Sequence, residues 1–252
     1  MKPLSIQLYT VRELCQKDFF GTLKQIADIG YKGVEFHKLW DKPAAEVKKV
    51  LDDLGLVASS THGDFPTPAN FDAIVDTANT LGYKYYVIPW LPDKRFTTVE
   101  DVKAVAAVIN DMAKMLAAKG ITLCYHNHAH EMVLLDGRPA LEILFESAKK
   151  VSPEIDTYWA ANFGAVNVVE LVKKFAKRTP LLHIKDGPLT RGQPMTAVGS
   201  GKMDIPAVIN AADPKALKWL VVELDACATD MLTAVRESYN YLISNGLAEG
   251  NK

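Results

Sequence analysis

All six histidines of the chain fall at, or a few residues beyond, the downstream end of a β-rich run. His37 closes GVEFH, His62 closes VASSTH, His126, His128 and His130 follow ITLCY, and His183 lies in PLLHIKD. Imidazole is the side chain best suited to holding metals and moving protons near neutral pH. Collecting it at one end of successive strands puts it where α/β folds bind their ligands. Side chains alternate across a strand, so parity decides which residues face the same way. By that rule Cys124, His126 and His128 share a face of the fifth run, and Glu154, Asp156 and Tyr158 a face of the sixth. His183 and Lys185 share one on the seventh, and Val221, Glu223 and Asp225 one on the eighth. With the polar members turned inward, His126, Asp156, His183 and Glu223 come from four consecutive strands and surround one small volume. Two imidazoles and two carboxylates suit one divalent metal ion, with manganese, cobalt, iron or zinc favoured over magnesium. Buried together without a cation, such ionised groups would carry a desolvation cost on the order of several kcal/mol each.

Other residues near these strand ends have plainer readings beside the chemical ones. His37 is read as a hydrogen-bonded rim residue. His128, Glu131 and Lys185 are candidates for proton transfer or for contact with a substrate oxyanion, the plainer reading of Lys185 being a pair with Asp186. Glu35, His62, Trp90 and Trp159 are the candidate substrate contacts. The rings of Trp40, Trp90 and Trp159 could stack on a sugar, and packing between loops would use them equally well. Glu46, Lys48 and Lys49 read as solvated helix faces.

The elements that must carry these residues alternate between short β-rich runs and longer helical patterns about every thirty residues, as successive βα units do. The eight strand candidates are Leu4 to Tyr9, Gly33 to His37, Val57 to His62, Tyr85 to Trp90, Ile121 to His128, Glu154 to Tyr158, Leu181 to Lys185 and Trp219 to Asp225. From Val99 to Lys119 the apolar residues Val102, Val105, Ala106, Ile109, Met112, Ala113 and Leu116 recur at helical spacing. Gly30, Gly55, Gly82 and Gly120 each follow such a pattern and precede a strand, as C-terminal helix caps do. Strand-to-helix connections are long, for example WLPDKRFTTVED, HAHEMVLLDGRP and DGPLTRGQPMTAVGSGKMD, and long loops carry function. No linker divides the chain, so residues 1–252 read as one domain, a single (β/α)8 TIM barrel of ordinary size. An open doubly wound sheet is the alternative, but QLYTVRELC after the first strand lacks its glycine-rich phosphate loop. GSGK at Ser200 is too short and wrongly placed for a P-loop and reads as a turn or a substrate-facing loop.

Composition narrows the partners. With 29 basic and 30 acidic residues the net charge is -1, and no dense basic run invites nucleic acid. Cys15, Cys124 and Cys227 are odd in number and far apart, which reads as reduced thiols and a cytoplasmic location. MKPLSIQLYT lacks the features of a secretory signal, and no membrane span is expected. Oligomeric state is open, with a homo-oligomer compatible with the sequence.

At these positions the chain resembles the sugar phosphate isomerase/epimerase group with the xylose-isomerase-like TIM barrel, which includes ketose 3-epimerases and inosose dehydratases. The resemblance runs the full length through IQLYTVRE, GYKGVEF, STHGDF, YHNHAHEM, EIDTYWA, HIKD, VGSGKMD and VVELD. It implies a divalent cation held at His126, Asp156, His183 and Glu223, with a histidine at the first position where a glutamate is usual. It also sets Trp159 where many sugar epimerases have a substrate-contacting histidine. The activity it implies is isomerisation or epimerisation of a sugar or keto-sugar through an enediolate, with Glu223 as general base. Because only one of the usual two basic glutamates remains, elimination by a dehydratase or keto-glycoside lyase is the alternative. His128, Glu131 or Lys185 could replace the second base. A non-catalytic sugar-binding barrel and an abasic-site endonuclease are more distant readings, the latter opposed by the near-neutral charge.

Overall fold

In the computed structural model, which describes residues 1–252, eight parallel strands close into a barrel. They are β1 (Lys2–Gln7), β2 (Gly33–Phe36), β3 (Val57–His62), β4 (Tyr85–Ile88), β5 (Thr122–His126), β6 (Ser152–Asp156), β7 (Leu181–Ile184) and β8 (Trp219–Val222). Each pairs with its successor, and β8 returns to β1 through Leu4–Leu220, Ser5–Val221 and Ile6–Val222. The short strand Ala248–Glu249 lies against Lys2 and Pro3 outside this closure. All eight expected strands are present. Most end two or three residues earlier than the alternation suggests, because the chain turns away into the mouth loops. His128 therefore stands on a loop, and His130 opens a 3₁₀ turn (His130–Met132).

The helices follow from the same patterning. Val99–Ala117 presents Val102, Val105, Ala106, Ile109, Ala113 and Leu116 to the barrel wall, and the Thr98 side chain accepts from the Asp101 N–H at its start. Fully burying each large aliphatic of such a face contributes about 1.5–3 kcal/mol. Gly30, Gly55 and Gly82 cap the helices Phe19–Ile29, Ala44–Leu54 and Phe71–Leu81, which keeps the joins to the next strands tight. One contiguous apolar core of 61 buried residues lies between helices and strands, so the barrel lumen is left to a different set of side chains. Trp40 joins that outer core, its ring 4.8 Å from Phe19, and is a packing residue.

The lumen is apolar at its base. Val87, Cys124 and Leu181 pack with Tyr85 and Trp219. A side chain at Gly33 would meet the Trp219 ring at 2.9 Å, so this glycine admits the indole that plugs the floor. No helix is long and apolar enough to cross a membrane. The thiols are graded by burial, which pushes Cys15 up to about 12 and raises Cys124 far above its ordinary value, while Cys227 is partly exposed. Ellman's reagent should therefore titrate one thiol, Cys227, in the folded protein and all three in denaturant. Rapid reaction of two or more in the native state would contradict this packing.

Candidate active site

Above the apolar floor the lumen becomes polar in two tiers. The lower one is built on Glu35 of β2 and Glu154 of β6, both fully buried. Gln7 Nε2 donates to Glu35 Oε1 at 2.8 Å, and Ser60 Oγ donates to Glu35 Oε2. Between the carboxylates lies His62, with Nε2 2.7 Å from Glu154 Oε2 and 3.2 Å from Glu35 Oε1. Burial works against charge on His62, but the two carboxylates outweigh it and lift the imidazole to about 10. Glu35 is held well below its ordinary value: burial pushes it up, and His62 and His183 more than reverse that.

The upper tier holds His126, Asp156, His183 and Glu223, whose ligating atoms all lie within 4.8 Å of one another. Each imidazole is oriented from below. His126 Nδ1 faces Glu154 Oε2 at 3.2 Å and its Nε2 faces Asp156 Oδ2 at 3.6 Å. His183 Nε2 meets Glu35 Oε1 at 2.7 Å and its Nδ1 meets Glu223 Oε2 at 2.9 Å. Carboxylates behind histidines in this way fix ring orientation and tautomer. Burial, reinforced by His183 and His62, keeps His126 well below its usual value, so it is a neutral imidazole. Burial also works against His183, but Glu154 and Glu35 outweigh it and raise its value far above normal. Asp156 Oδ1 accepts the Trp159 backbone N–H at 2.8 Å, which leaves Oδ2 for the lumen. Burial lifts Asp156 to about 6 against the pull of Lys185 and His183.

Lys185 enters this tier with its whole side chain buried. Its ammonium lies 2.9 Å from Asp156 Oδ2, 2.7 Å from Glu223 Oε2 and 2.8 Å from Asp225 Oδ2. It does not pair with Asp186. That carboxylate instead accepts backbone N–H groups of Gly187, Gly199, Gly201 and Met203 and so folds the VGSGKMD loop onto the end of β7. At Gly201 a side chain would meet Asp186 Oδ1 at 2.0 Å. The GSGK segment is thus a structural turn, and Lys185 is enclosed by three carboxylates.

The buried oxygens Asp156 Oδ2 and Glu154 Oε1 have no hydrogen-bond donor, although Asp156 Oδ2 has the Lys185 ammonium at close range. Two carboxylates beside two imidazoles, one of them neutral and the other able to release its proton on binding, fit a divalent cation in the upper tier. Such an ion would share Asp156 Oδ2 and Glu223 Oε2 with Lys185. The second possible ligand group, His62, His126, Glu154 and His183, fits less well. Two of its three imidazoles, His62 and His183, are held protonated between carboxylates, and it offers only one carboxylate.

A cleft of about 580 Å³ opens over this cluster, its wall including Tyr9, His37, His62, Trp90, His126, His128, Glu223 and Asp225. Of the expected substrate contacts, His62 and Trp90 reach it, and Trp90 is 50% exposed. Trp159 lines an adjoining cleft that also contains His128. Glu35 is a correction: it lies beneath His183 and does not reach the cleft surface. Glu131 is a second correction. It is fully buried, accepting from Tyr125 Oη and from the His128 backbone N–H, and so shapes the His128 loop from behind. His128 does border the cleft, and burial together with Lys185 lowers it to about 4, leaving a neutral imidazole. His37 packs edge-on against Tyr9 and Trp40 at the rim. Glu154 and Asp225 were not singled out as site residues, although parity put them beside Asp156 and Glu223.

A closed eight-stranded parallel barrel with an imidazole and carboxylate cluster at the C-terminal strand ends defines a class of TIM-barrel proteins. The model of the xylose isomerase-like TIM barrel family matches residues 23–244, and the chain belongs to that family. A crystal structure of a sugar phosphate isomerase/epimerase from Parabacteroides distasonis superposes with a TM-score of 0.83 at 26% identity, over 98% of this chain and 96% of that one. The rhizopine catabolism protein MocC of Rhizobium meliloti is 25% identical over 81% of this chain and 73% of its own length. An inosose dehydratase of Clostridium botulinum is 22% identical over 68% of this chain and 64% of its own length, just under two thirds.

Proposed function

We propose that the protein is a divalent-metal-dependent isomerase or epimerase of a sugar or keto-sugar. The observation that carries this reading is the convergence of His126, Asp156, His183 and Glu223 under a cleft at the strand ends. These four residues would hold the ion, which supplies Lewis-acid polarisation of a substrate carbonyl and its neighbouring hydroxyl. Glu223 borders the cleft, and although burial favours its proton, Lys185 and His183 outweigh this and keep it ionised. As general base it would take the proton from the carbon next to the carbonyl, and the C–H electron pair would form the double bond of an enediolate. Returning that proton to the adjacent carbon gives isomerisation. Delivery of a proton to the opposite face of the original carbon gives epimerisation and calls for a second group that carries a proton there, for which His128, by its place at the cleft, is the candidate. The buried Lys185 ammonium would balance negative charge as it develops. Glu35 and Glu154 are positioning residues that aim His183 and His126, and His62 links them.

Elimination is the second reading, favoured by the histidine at position 126 and by the likeness to an inosose dehydratase. There the same Glu223 removes the proton, the electron pair expels the β-hydroxyl, and the proton now on Glu223 passes to that oxygen so that it leaves as water. Incubating the manganese-loaded protein in D2O with D-fructose, D-tagatose and scyllo-inosose, followed by NMR, separates the two. Deuterium entering the carbon next to the carbonyl without loss of water supports isomerisation, and a new vinylic signal supports elimination. Neither exchange nor product with any of the three would tell against both. Glu35→Gln and Glu154→Gln should each cost about 10–100-fold in manganese affinity measured by calorimetry, the usual penalty for loosening a carboxylate–histidine–metal arrangement. Unchanged affinity in both would remove their positioning role.

A further inference from the structure

The mouth carries more flat side chains than one sugar ring can cover. Trp90, His130, His128, Trp159 and Phe163 form a row across it, with successive ring centroids 6.3, 6.0, 6.3 and 6.2 Å apart. His130, His128 and Trp159 are close to parallel, with interplanar angles of 22° and 29°. The row begins in the cleft over Glu223 and continues past His128 into a second cleft, also of about 580 Å³, beside Trp159 and Phe163. His128 borders both, so the two clefts are neighbours across its ring. In the second one the Arg191 guanidinium lies 4.6 Å from the centre of the Phe163 ring, and Gln193 adds further polar groups.

The backbone at Phe163 is strained, and its ring stays at the cleft. Phe163, which lines the cleft, adopts a left-handed conformation with φ of 57°, as does its neighbour Asn162 with φ of 44°. Bulky residues rarely accept such angles, at a cost of order 1–3 kcal/mol each, and such strain collects at ligand sites. Phe163 and Trp159 remain only partly buried, so the strain does not serve to bury them in the core.

We infer that the second cleft binds a second ring joined to the reacting sugar, so that the substrate is a two-ring glycoside. The reacting ring, with its carbonyl on a carbon other than the anomeric one, occupies the Glu223 cleft. Its neighbour, a sugar or an aryl aglycone, lies on Trp159 and Phe163, with Arg191 and Gln193 bonding to its hydroxyls or to the bridging oxygen. Apolar ring faces meeting aromatic faces, with a few fixed polar groups at the edge, are the recognised chemistry of such pockets. This inference rests on the carbohydrate reading above and adds the length of the substrate to it.

Calorimetry and saturation-transfer NMR with glucose, cellobiose, maltose and phenyl β-D-glucopyranoside test it. At least one two-ring probe should bind tenfold or more tighter than glucose, with saturation transfer reaching its second ring. A disaccharide gain marks a sugar neighbour, and a gain confined to the phenyl glucoside marks an aglycone. Phe163→Gly removes the ring while relaxing the left-handed backbone, and Arg191→Ala removes the guanidinium. Each should return the two-ring probe to the affinity of glucose and leave glucose binding unchanged. Glucose binding as tightly as every two-ring probe, or an undiminished gain in both variants, overturns the second subsite alone. No binding of any sugar overturns it together with the carbohydrate reading.

Discussion

Glu223→Gln is expected to lower turnover by about 10³-fold, within the range spanned by loss of a positioned general base, while the protein keeps its fold. The glutamine retains the size of the side chain and a carbonyl oxygen near Lys185 and His183, but it can neither take a proton nor carry charge. At saturating manganese, needed because Glu223 is also a ligand of the proposed ion, the loss should fall on kcat, with a smaller change in KM, because the group acts in the transition state rather than in holding the sugar. Deuterium exchange at the carbon next to the carbonyl should fall in parallel. Exchange at the wild-type rate would remove Glu223 as the base and shift attention to His128.

Lys185→Met should be the most destabilising single change at the site. The ammonium is buried against Asp156, Glu223 and Asp225, and deleting it strands carboxylates that have no other nearby cation of that strength. Removing one partner from a buried ion network costs about 3–5 kcal/mol. For a chain of this size that corresponds to a drop in Tm of roughly 10 °C. Two conditions should reverse much of the loss. Manganese should do so, since it would satisfy the same oxygens, and the variant should gain more from it than the wild type because no internal cation competes. Acidification is the other. Burial already lifts Asp156 to about 6 with Lys185 present, and its value rises further without the lysine. A carboxyl whose folded value exceeds its unfolded one binds its proton more tightly when folded, so the folded state gains as the pH falls through that value. The deficit in Tm should therefore be smaller at pH 5 than at pH 7.5. A variant as stable as wild type at pH 7.5 without metal would contradict the electrostatic description of the cluster.

Much of this site is legible in the sequence because a barrel strand obeys a two-residue period and its downstream end has one function-bearing face. That period brought His126, Asp156, His183 and Glu223 together without coordinates. It also set Glu154 beside Asp156 and Asp225 beside Glu223. Sequence order does not say which of two same-faced acids lies a tier lower, so Glu154 was passed over as a positioning group. Glu35 was read as a substrate contact for the same reason: parity turns it inward, but only the stagger between β1, β2 and β3 sets it beneath His183. Lys185 and Asp186 show the limit most clearly. Adjacent in sequence and opposite in charge, they follow the last residue of β7 and point opposite ways, one into the lumen and the other into the backbone amides of the following loop. Strand ends were drawn too long because residues such as His128 continue the alternation after the ladder hydrogen bonds have stopped.

The central claim is that His126, Asp156, His183 and Glu223 hold one metal ion at the barrel mouth. An anomalous-scattering map from crystals soaked in manganese chloride addresses it most directly. One peak per chain is predicted, within about 2.0–2.2 Å of a ligand atom from each of these four residues. The absence of any peak there, or an ion held by other side chains with these four left out, would contradict it.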